Sequence, residues 1–453
     1  MKLSGWVLRI LLIIMVGLSL VFTWLIWQNP SRQGRQEQAI TVQHKAATST
    51  TKHRGVVMAP TAAFYQSKGS LRQLFTPDQD VALNLRDTMK SWRLGKVTAG
   101  GKLTTSEYNA LLNSDETLQL VYADKMAYQT FNKSFFTKKA SVTNADFTFN
   151  RIIVNLAKHT GSLIFVNDAT KNSHTGILTK HSIAKLKAQT QEAAASGFAV
   201  TNKRLDNGKQ VVAYTQAPQV QPYVFLLDQQ SANHYVSLLM PASATSNVDA
   251  RELGTDTVYT AGTDYRLTLD TDTQQMLFDN AALTDASKSL ATNLDRSYTA
   301  LSQMALQGQT SMRYEHYDAP SKTVTYRSFA QGLPIYNGNF YGRVTVATTG
   351  NGQQLSFSSN NLTVPIPTDA AKVTLPTTQA VLDHLTSLGY RQTAIQDLQL
   401  GYYWAAQDEN SQVVNLTPTY FVEMNGTYRR YTQWLGPNKD KQAQTSVQAV
   451  EQE

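Results

Sequence analysis

The sequence predicts an α+β protein with a single N-terminal transmembrane helix and a multi-domain extracytoplasmic region. Three observations support this fold class. Residues 10–27 contain no charged side chain. The remaining roughly 400 residues exceed one typical hydrophobic core, which predicts several domains. In the last part of the chain, a helical pattern followed by strand-like runs occurs twice, which predicts two helix-on-antiparallel-sheet units.

The apolar run is long enough to cross a bilayer as a helix. Its 18 residues would span about 27 Å, close to the thickness of the hydrocarbon layer. A cleaved secretory signal is shorter and ends in a small-x-small site, which this run lacks. The chain has no cysteine, so a lipidated cysteine cannot be the anchor. Trp24 and Trp27 are typical of an interfacial belt. We therefore expect a retained signal anchor.

The charges on either side of this anchor give only a weak prediction of its orientation in the membrane. Lys2 and Arg9 precede it, but Arg32 and Arg35 follow it closely. Because long domains are translocated largely regardless of flanking charge, we expect residues 1–9 in the cytoplasm and the bulk of the chain outside the cell membrane.

One stripe of the anchor suggests a contact with another helix. Met15, Ser19, Thr23 and Trp27 recur at every fourth position. Ser19 and Thr23 form a small-x-x-x-small pair, which allows close helix approach and offers hydroxyl groups across the contact. Alternatively, both hydroxyls bond to their own backbone while this face contacts lipid.

Composition divides the rest of the chain into five parts. A polar stretch is predicted as a linker, and three folded parts and a polar, disordered tail follow it. The parts are a linker at 28–57, an N-terminal α/β domain at 58–246, a β-rich middle segment at 247–284, a C-terminal tandem domain at 285–436 and the tail at 437–453.

Local patterns place the elements of the N-terminal domain. TPDQDVALNLRDTMKSW has a helix start signal and apolar residues at helical spacing. TTSEYNALLNS is a second helix, with Thr105 as its cap, and KHSIAKLKAQTQEAAASG is a third, which ends at Gly197. Strands are predicted for ETLQLVYA, DFTFNRIIVNL, GKQVVAYTQA and QPYVFLL.

The tandem domain begins with the helix TDASKSLATNLDRSYTALSQMAL. Strands SMRYEHYD, KTVTYRSFA, GRVTVATT and QQLSFSSN follow, and Asn351-Gly352 predicts a tight hairpin between the last two. The helix TTQAVLDHLTSLGY, stopped by Gly389, begins the second unit. Its predicted strands are IQDLQLGYYWAA, QVVNL, TYFVEMN and TYRRYTQW.

Motifs for chemistry are missing from the sequence. There is no His-Glu-x-x-His, Gly-x-Ser-x-Gly or phosphate loop, and we predict no catalytic, cofactor-binding or metal-binding residues. Asp270 and Asp272 lack the glycine and glutamate of a calcium loop and predict a solvated hairpin turn. His174 and His181 are expected on the surface, with a turn near Gly176.

The charge balance limits the class of partner. The net charge is +8, which suits an anionic wall or membrane lipid, or serves solubility alone. No dense basic tract with interleaved aromatic residues is present, so nucleic acid is not an expected partner.

Three stretches carry a resemblance to a known family. They are the anchor LSLVFTWLIWQ, the segment FAQGLPIYNGNF and the closing pattern LGYYW…VVNLTPTYFVEMNGTYRRY. The chain resembles the YycH (WalH) family, membrane-anchored accessory proteins of the WalK–WalR (YycG–YycF) two-component system of Gram-positive bacteria. The closing pattern also resembles the sheets of PepSY-like domains and of YycI.

The resemblance implies a non-enzymatic regulator. Such a protein would pair with YycI outside the membrane and modulate the sensor kinase WalK, which governs cell-wall metabolism. It also implies that the transmembrane helix contacts the kinase.

The sequence leaves three other functional classes open. A ligand- or wall-binding envelope module would need a pocket, which the aromatic runs GYYWAA and PTYFV could line, although such residues are more often core. A cell-wall hydrolase would need a convergent catalytic set, and no motif provides one. A passive scaffold would tolerate any inert anchor.

Overall fold

The computed structural model describes 15, 16, 19, 50–138, 146–157, 161–283, 289–304, 306, 311–338, 340–366, 368–405 and 412–437. Residues 1–46 and 47–453 form two separate units, and the elements below belong to the second. Helices and strands are mixed, so the predicted α+β class is confirmed. The predicted linker before residue 50 and the tail after residue 437 lie outside the described residues.

The first half of this unit is built on one antiparallel sheet. In the described chain it has nine strands in the order β3-β7-β6-β5-β4-β1-β2-β8-β9. The strands are β1 Ala62–Ser67, β2 Ser70–Gln73, β3 Arg93–Lys102, β4 Thr117–Ala127, β5 Thr148–Asn155, β6 Ser162–Val166, β7 Asn172–Lys180, β8 Phe198–Arg204 and β9 Gln210–Tyr214.

Two helices in this half start at polar caps. Asp80 accepts a hydrogen bond from the Leu83 N–H at the start of α2. Thr104 and Glu107 form a reciprocal capping box at the start of α3, so the cap lies one residue before the predicted Thr105. The helices are α1 Thr50–Val57, α2 Val81–Met89, α3 Thr105–Leu112, α4 Tyr128–Ser134 and α5 Ile183–Ser196.

The second half is built on a larger sheet of fourteen strands among the described residues. Its main path is β12-β13-β14-β15-β20-β19-β17-β18-β23-β24-β11-β21, with β16 on β17 and β25 on β24. Only the β18–β23 pair is parallel within that path. Strands β10 Gln219–Val220 and β22 Val373–Thr374 pair separately. The sheet strands are β11 Tyr223–Gln229, β12 Val248–Leu253, β13 Asp256–Ala261, β14 Tyr265–Asp270, β15 Gln275–Asn280, β16 Met312–Asp318, β17 Thr323–Ala330, β18 Leu333–Tyr336, β19 Arg343–Thr349, β20 Gly352–Ser358, β21 Asn360–Ile366, β23 Ile395–Ala405, β24 Val413–Met424 and β25 Thr427–Arg430.

Two helices of this half connect the sheets. Helix α8 packs on β17 and β19 of the larger sheet and on β4 of the smaller one. Helix α9 lies against β9, where the Tyr214 N–H donates to the Thr378 hydroxyl at 2.9 Å. The helices are α6 Ala232–Leu239, α7 Ala242–Thr245, α8 Leu290–Gln303 and α9 Thr378–Ser387, with short 3-10 turns at Gln392–Ala394 and Tyr431–Gln433.

A continuous apolar core joins the two sheets. It contains Leu120 from β4, Leu301 from α8 and Tyr314 from β16, all fully buried. Each such side chain stabilises the fold by about 1.5–3 kcal/mol. The predicted middle segment 247–284 forms β12 to β15 at one end of the larger sheet. The predicted domain boundaries and the tandem C-terminal organisation stay predictions.

The predicted turn near Gly176 is wrong. Residues Asn172–Lys180 form β7, an interior strand between β3 and β6. A Cβ atom at Gly176 would lie 2.6 Å from Leu94 Cδ1, so a larger residue there would displace the buried Leu94 side chain. His174 is half-buried and stacks on Phe147 rather than lying free on the surface.

Two other local predictions shift when the strands pair. Thr349 pairs with Gly352, so the hairpin loop is Gly350-Asn351 rather than Asn351-Gly352. The runs QVVNL and TYFVEMN form one strand, β24, in spite of Pro418. Strand β11 pairs with β24 only as far as Leu416 and β25 pairs only from Phe421, so Pro418 lies where one side of the strand is free.

Candidate interaction surface and polar groove

Two of the four residues predicted to contact another helix lie outside the described part of the chain. Met15 and Ser19 lie in short described helical stretches, and Met15 is 68% exposed. Thr23, Trp24 and Trp27 lie outside the described residues, as does most of the predicted span 10–27. Within the described ranges, the structure contains no helix long and apolar enough to cross a membrane.

The main strand orders of the two large sheets end in four strands, and three of these carry features that oppose further pairing. Strands β16 and β25, which branch from the larger sheet, also have one partner strand each. Strand β3 is irregular and contains three glycines and two lysines. Strand β9 is covered by α9, and β21 contains Pro365. Irregular register, lysine, proline and coverage all protect edges from added strands. The fourth edge, β12, has neither proline, glycine nor lysine.

Strand β12 is regular and open to solvent. Its six residues pair with β13 without a register shift, from Val248 opposite Ala261 to Leu253 opposite Asp256. The two-residue loop between them begins with Gly254, whose φ of 65° suits a tight hairpin. Leu253 is 63% exposed. The outer backbone groups of β12 therefore form a straight template for an added strand.

The charges on this edge neutralise each other in part. Arg251 Nε donates to Asp249 Oδ2 at 2.8 Å, and both side chains are more than half exposed. Such a surface pair contributes about 0.2–1 kcal/mol and leaves the backbone groups accessible. We call β12 with its outer backbone groups the free edge.

A second surface lies on the smaller sheet, on the side that carries α3. Helix α3 forms one wall, strand β8 forms the other, and the β1–β2 turn closes one end. The volume of this open groove is about 520 Å³, within the usual range for ligand sites. We call it the polar groove, because amide and hydroxyl side chains dominate its lining: Gln66, Ser70, Thr105, Tyr108, Asn109, Asn113, Thr201, Asn202, Gln210 and Thr215.

A buried ion pair fixes the floor of the polar groove. Arg151 Nη2 and Nε lie 2.8 and 3.0 Å from the carboxylate of Asp168, and both side chains are less than one-tenth exposed. Arg151 Nη1 donates to Gln119 Oε1 at 2.8 Å, and Gln119 donates to the Leu112 carbonyl at the end of α3. Because each donor has a partner, this network holds α3 in a fixed position over the sheet.

The Tyr108 hydroxyl is buried beside this ion pair. Burial, then the nearby charge of Asp168, raises the pKa of Tyr108 far above its usual range. The hydroxyl therefore keeps its proton, and no described residue accepts it in a hydrogen bond of normal geometry. Lys171 and Arg204 supply positive charge to the lining, while Asp168 is already paired.

Sequence reasoning missed the polar groove, although one signal was present. Arg151 interrupts the apolar run of β5, and Gln119 lies between Leu118 and Leu120 in β4. A polar residue at a position that strand alternation buries indicates a partner elsewhere in the fold. Among the described residues, no group of three or more His, Cys, Asp or Glu side chains could hold a metal.

Family models match both halves of the chain. The model of the YycH protein C-terminal domain matches residues 209–435, and that of the YycH protein N-terminal domain matches residues 7–195. The crystal structure of YycH from Bacillus subtilis has a TM-score of 0.66 and 14% identity, over 83% of this chain and 96% of that chain. At this identity the likeness shows a shared fold. The search of curated proteins found no match.

Proposed function

Because the chain belongs to the YycH family, we propose that it is an accessory regulator that acts with YycI on the sensor kinase WalK to control cell-wall metabolism. The observation that carries this proposal is the match of both family domains, which together cover most of the chain. The family is one of regulatory accessory proteins and not of known enzymes. No catalytic residue or cofactor is part of the proposal.

The regulator would be a single-pass membrane protein with its bulk outside the cell. Residues 10–27 would span the membrane, and the stripe of Met15, Ser19, Thr23 and Trp27 would face the kinase. A neighbouring helix that binds one kinase state more tightly than the other shifts the population between the states. A difference of about 1–3 kcal/mol changes the equilibrium constant between the two kinase states about 5- to 150-fold.

The extracytoplasmic part would hold YycI through the free edge. Strand β12 is regular, and Leu253 offers an apolar contact beside its open backbone groups. Adding a strand of YycI there would supply main-chain hydrogen bonds without a change in the fold of either sheet. This arrangement would set the position of the membrane helix relative to the kinase.

A second candidate function is an envelope module that binds a ligand or the wall. The polar groove is the observation that favours it, because its size and rigid floor suit a ligand site. The two functions are compatible, since the free edge and the groove use different strands.

Affinity purification of the tagged full chain from its native membrane tests the proposal. One sample keeps the natural anchor, and in the other residues 12–26 are replaced by polyleucine. Mass spectrometry that finds the kinase only with the natural anchor would support the helix contact. Recovery with both anchors would place the contact in the extracytoplasmic part or in YycI. Finding neither the kinase nor YycI in either sample would contradict the regulator function.

A further inference from the structure

The polar groove has the chemistry of a carbohydrate site. Amide and hydroxyl groups each donate and accept hydrogen bonds, as sugar hydroxyls do. The lining holds five amide and five hydroxyl side chains, and its apolar contribution is confined to Leu71, Leu112, Ala199 and Val200. An apolar ligand would leave these polar groups unpaired, at a cost of about 1–3 kcal/mol for each buried one.

One buried group shows that the groove can receive a polar ligand. The Tyr108 hydroxyl lines the groove, is buried and has no acceptor of normal geometry in the described chain. Buried polar groups in folded proteins are normally satisfied. A ligand hydroxyl or amide oxygen that reaches this position would accept the Tyr108 hydrogen bond. Gln66, which is 3% exposed, also lines the groove.

The charges of the groove select for an anion on that ligand. Lys171 and Arg204 line it, whereas the only acidic group in the lining, Asp168, is held by two nitrogens of Arg151. Lys171 also donates to the Thr105 hydroxyl at 2.6 Å, which fixes its ammonium group at the start of α3. A carboxylate between the two cations would therefore be bound by charge-assisted hydrogen bonds.

From these observations we infer that the polar groove binds an acidic oligosaccharide. Sugar hydroxyls and acetamido groups contact the amide-rich walls, and a sugar carboxylate lies near Lys171 and Arg204. A peptide fits less well, because the floor presents strand faces rather than a free edge and the lining has few apolar positions. Binding requires neither the kinase nor YycI, so this inference stands or falls separately from the proposed function.

Isothermal titration calorimetry on the purified full chain in detergent tests the inference with two matched probes. The first is a peptide-free glycan strand that alternates N-acetylglucosamine and N-acetylmuramic acid, whose lactyl groups carry carboxylates. The second is chitotetraose, which has the same backbone without them. We expect the strand to bind at least 10-fold more tightly than chitotetraose, about 1.4 kcal/mol.

Two variants test the lining of the groove, and a third, on the same strand as Arg204, is their control. Arg204→Ala should weaken binding of the acidic strand about 10-fold and leave chitotetraose unchanged. Lys203→Ala should change neither, because Lys203 is absent from the groove lining and its Nζ lies 3.4 Å from Gln379 Oε1. Asn109→Ala, at an exposed position of α3, should weaken both probes.

Several results would overturn the inference. These are no binding of either probe at millimolar concentration, equal affinity for the two probes, or an Arg204→Ala protein that binds the acidic strand like the wild type. Tighter binding of a free tetrapeptide than of the strand would show a peptide groove instead. Circular dichroism of each variant excludes misfolding as the cause of any loss.

Discussion

Asp80 and Arg313 form an ion pair that joins the two halves of the folded unit. Asp80 Oδ1 caps α2 by accepting from the Leu83 N–H at 3.0 Å, and Asp80 Oδ2 lies 2.9 Å from Arg313 Nη2 on β16. The Arg313 side chain is 3% exposed. One carboxylate therefore fixes both the start of a helix in the first half and a strand in the second.

Removing this carboxylate should destabilise the protein more than the loss of a cap alone. We expect Asp80→Ala to cost about 1 kcal/mol for the cap and about 3 kcal/mol more, because the buried guanidinium of Arg313 loses the carboxylate that balances its charge. Ser231→Ala is the control, since Ser231 caps α6 without an ion pair among the described residues. Urea denaturation of the two full-length variants in detergent compares their losses of folding stability. Equal midpoints for the two variants would contradict a role for the ion pair.

A second contact between the halves predicts a dependence of stability on pH. His316 Nδ1 lies 3.0 Å from Asp124 Oδ2. The hydrogen bond to Asp124 raises the pKa of His316. Burial alone would raise the pKa of Asp124, but hydrogen bonds from His316 and from the Tyr317 and Lys125 N–H groups outweigh burial and lower it.

The directions of these two pKa shifts determine how the folding stability changes with pH. The contribution of His316 is complete below its unfolded pKa of about 6.5 and is lost as the pH rises through its higher folded value. The contribution of Asp124 to stability is present above about pH 4 and is lost as the pH falls through its lowered folded pKa. Since His316 is 59% exposed, we expect at most about 1 kcal/mol. The charge of Glu315 also raises the pKa of His316, and the charge of Lys209 lowers it.

The melting temperature of the full chain between pH 6 and pH 8.5 measures this effect. Wild type should lose stability as the pH rises, and His316→Gln should show a flatter profile. His384→Gln is the control, because His384 has no carboxylate partner among the described residues. A His316→Gln profile parallel to that of wild type would exclude His316 as the cause.

Two proline substitutions test the free edge. Alternate backbone N–H groups of a strand point to opposite sides, so of Ala250 and Arg251 one donates toward β13 and the other points outward. One substitution should cost folding stability by breaking the hairpin, and the other should leave stability nearly unchanged. We expect the second variant to lose YycI in a pull-down while the kinase helix contact persists. Normal recovery of YycI with the stable variant would place its binding site elsewhere.

The sequence predicted helices better than the relations between strands. Caps and apolar spacing act within a few residues, and they located α2, α5, α8 and α9 closely. Strand order depends on contacts that are distant in the chain. Thus β7 was predicted as a turn because Gly176 is typical of turns, whereas the glycine makes room for Leu94 of the neighbouring strand.

The residues that line the polar groove could not be grouped from local patterns for the same reason. The fold brings four lining residues together only when β8 pairs with β2 and α3 packs on the sheet: Gln66, Tyr108, Asp168 and Arg204.

Gly197 ends α5 as predicted, but its φ of −71° is not left-handed. It is required because a Cβ atom would lie 2.4 Å from the Gln73 carbonyl oxygen. Local patterns can thus give a correct position for a different physical reason.

Gly389 ends α9 for the reason that the sequence indicates, and this predicts a defined cost for its replacement. Its φ is 94°, its N–H donates to the Thr386 carbonyl at 2.9 Å, and the Tyr390 N–H donates to the Leu385 carbonyl at 3.1 Å, as in a Schellman motif. Gly389→Ala should destabilise by about 1 kcal/mol, because a Cβ atom disfavours this backbone conformation. Gly338→Ala is the matched control, since its φ is not left-handed and a Cβ atom there meets nothing within 4 Å. If urea midpoints of the two full-length variants coincide, the left-handed residue does not limit the stability of α9.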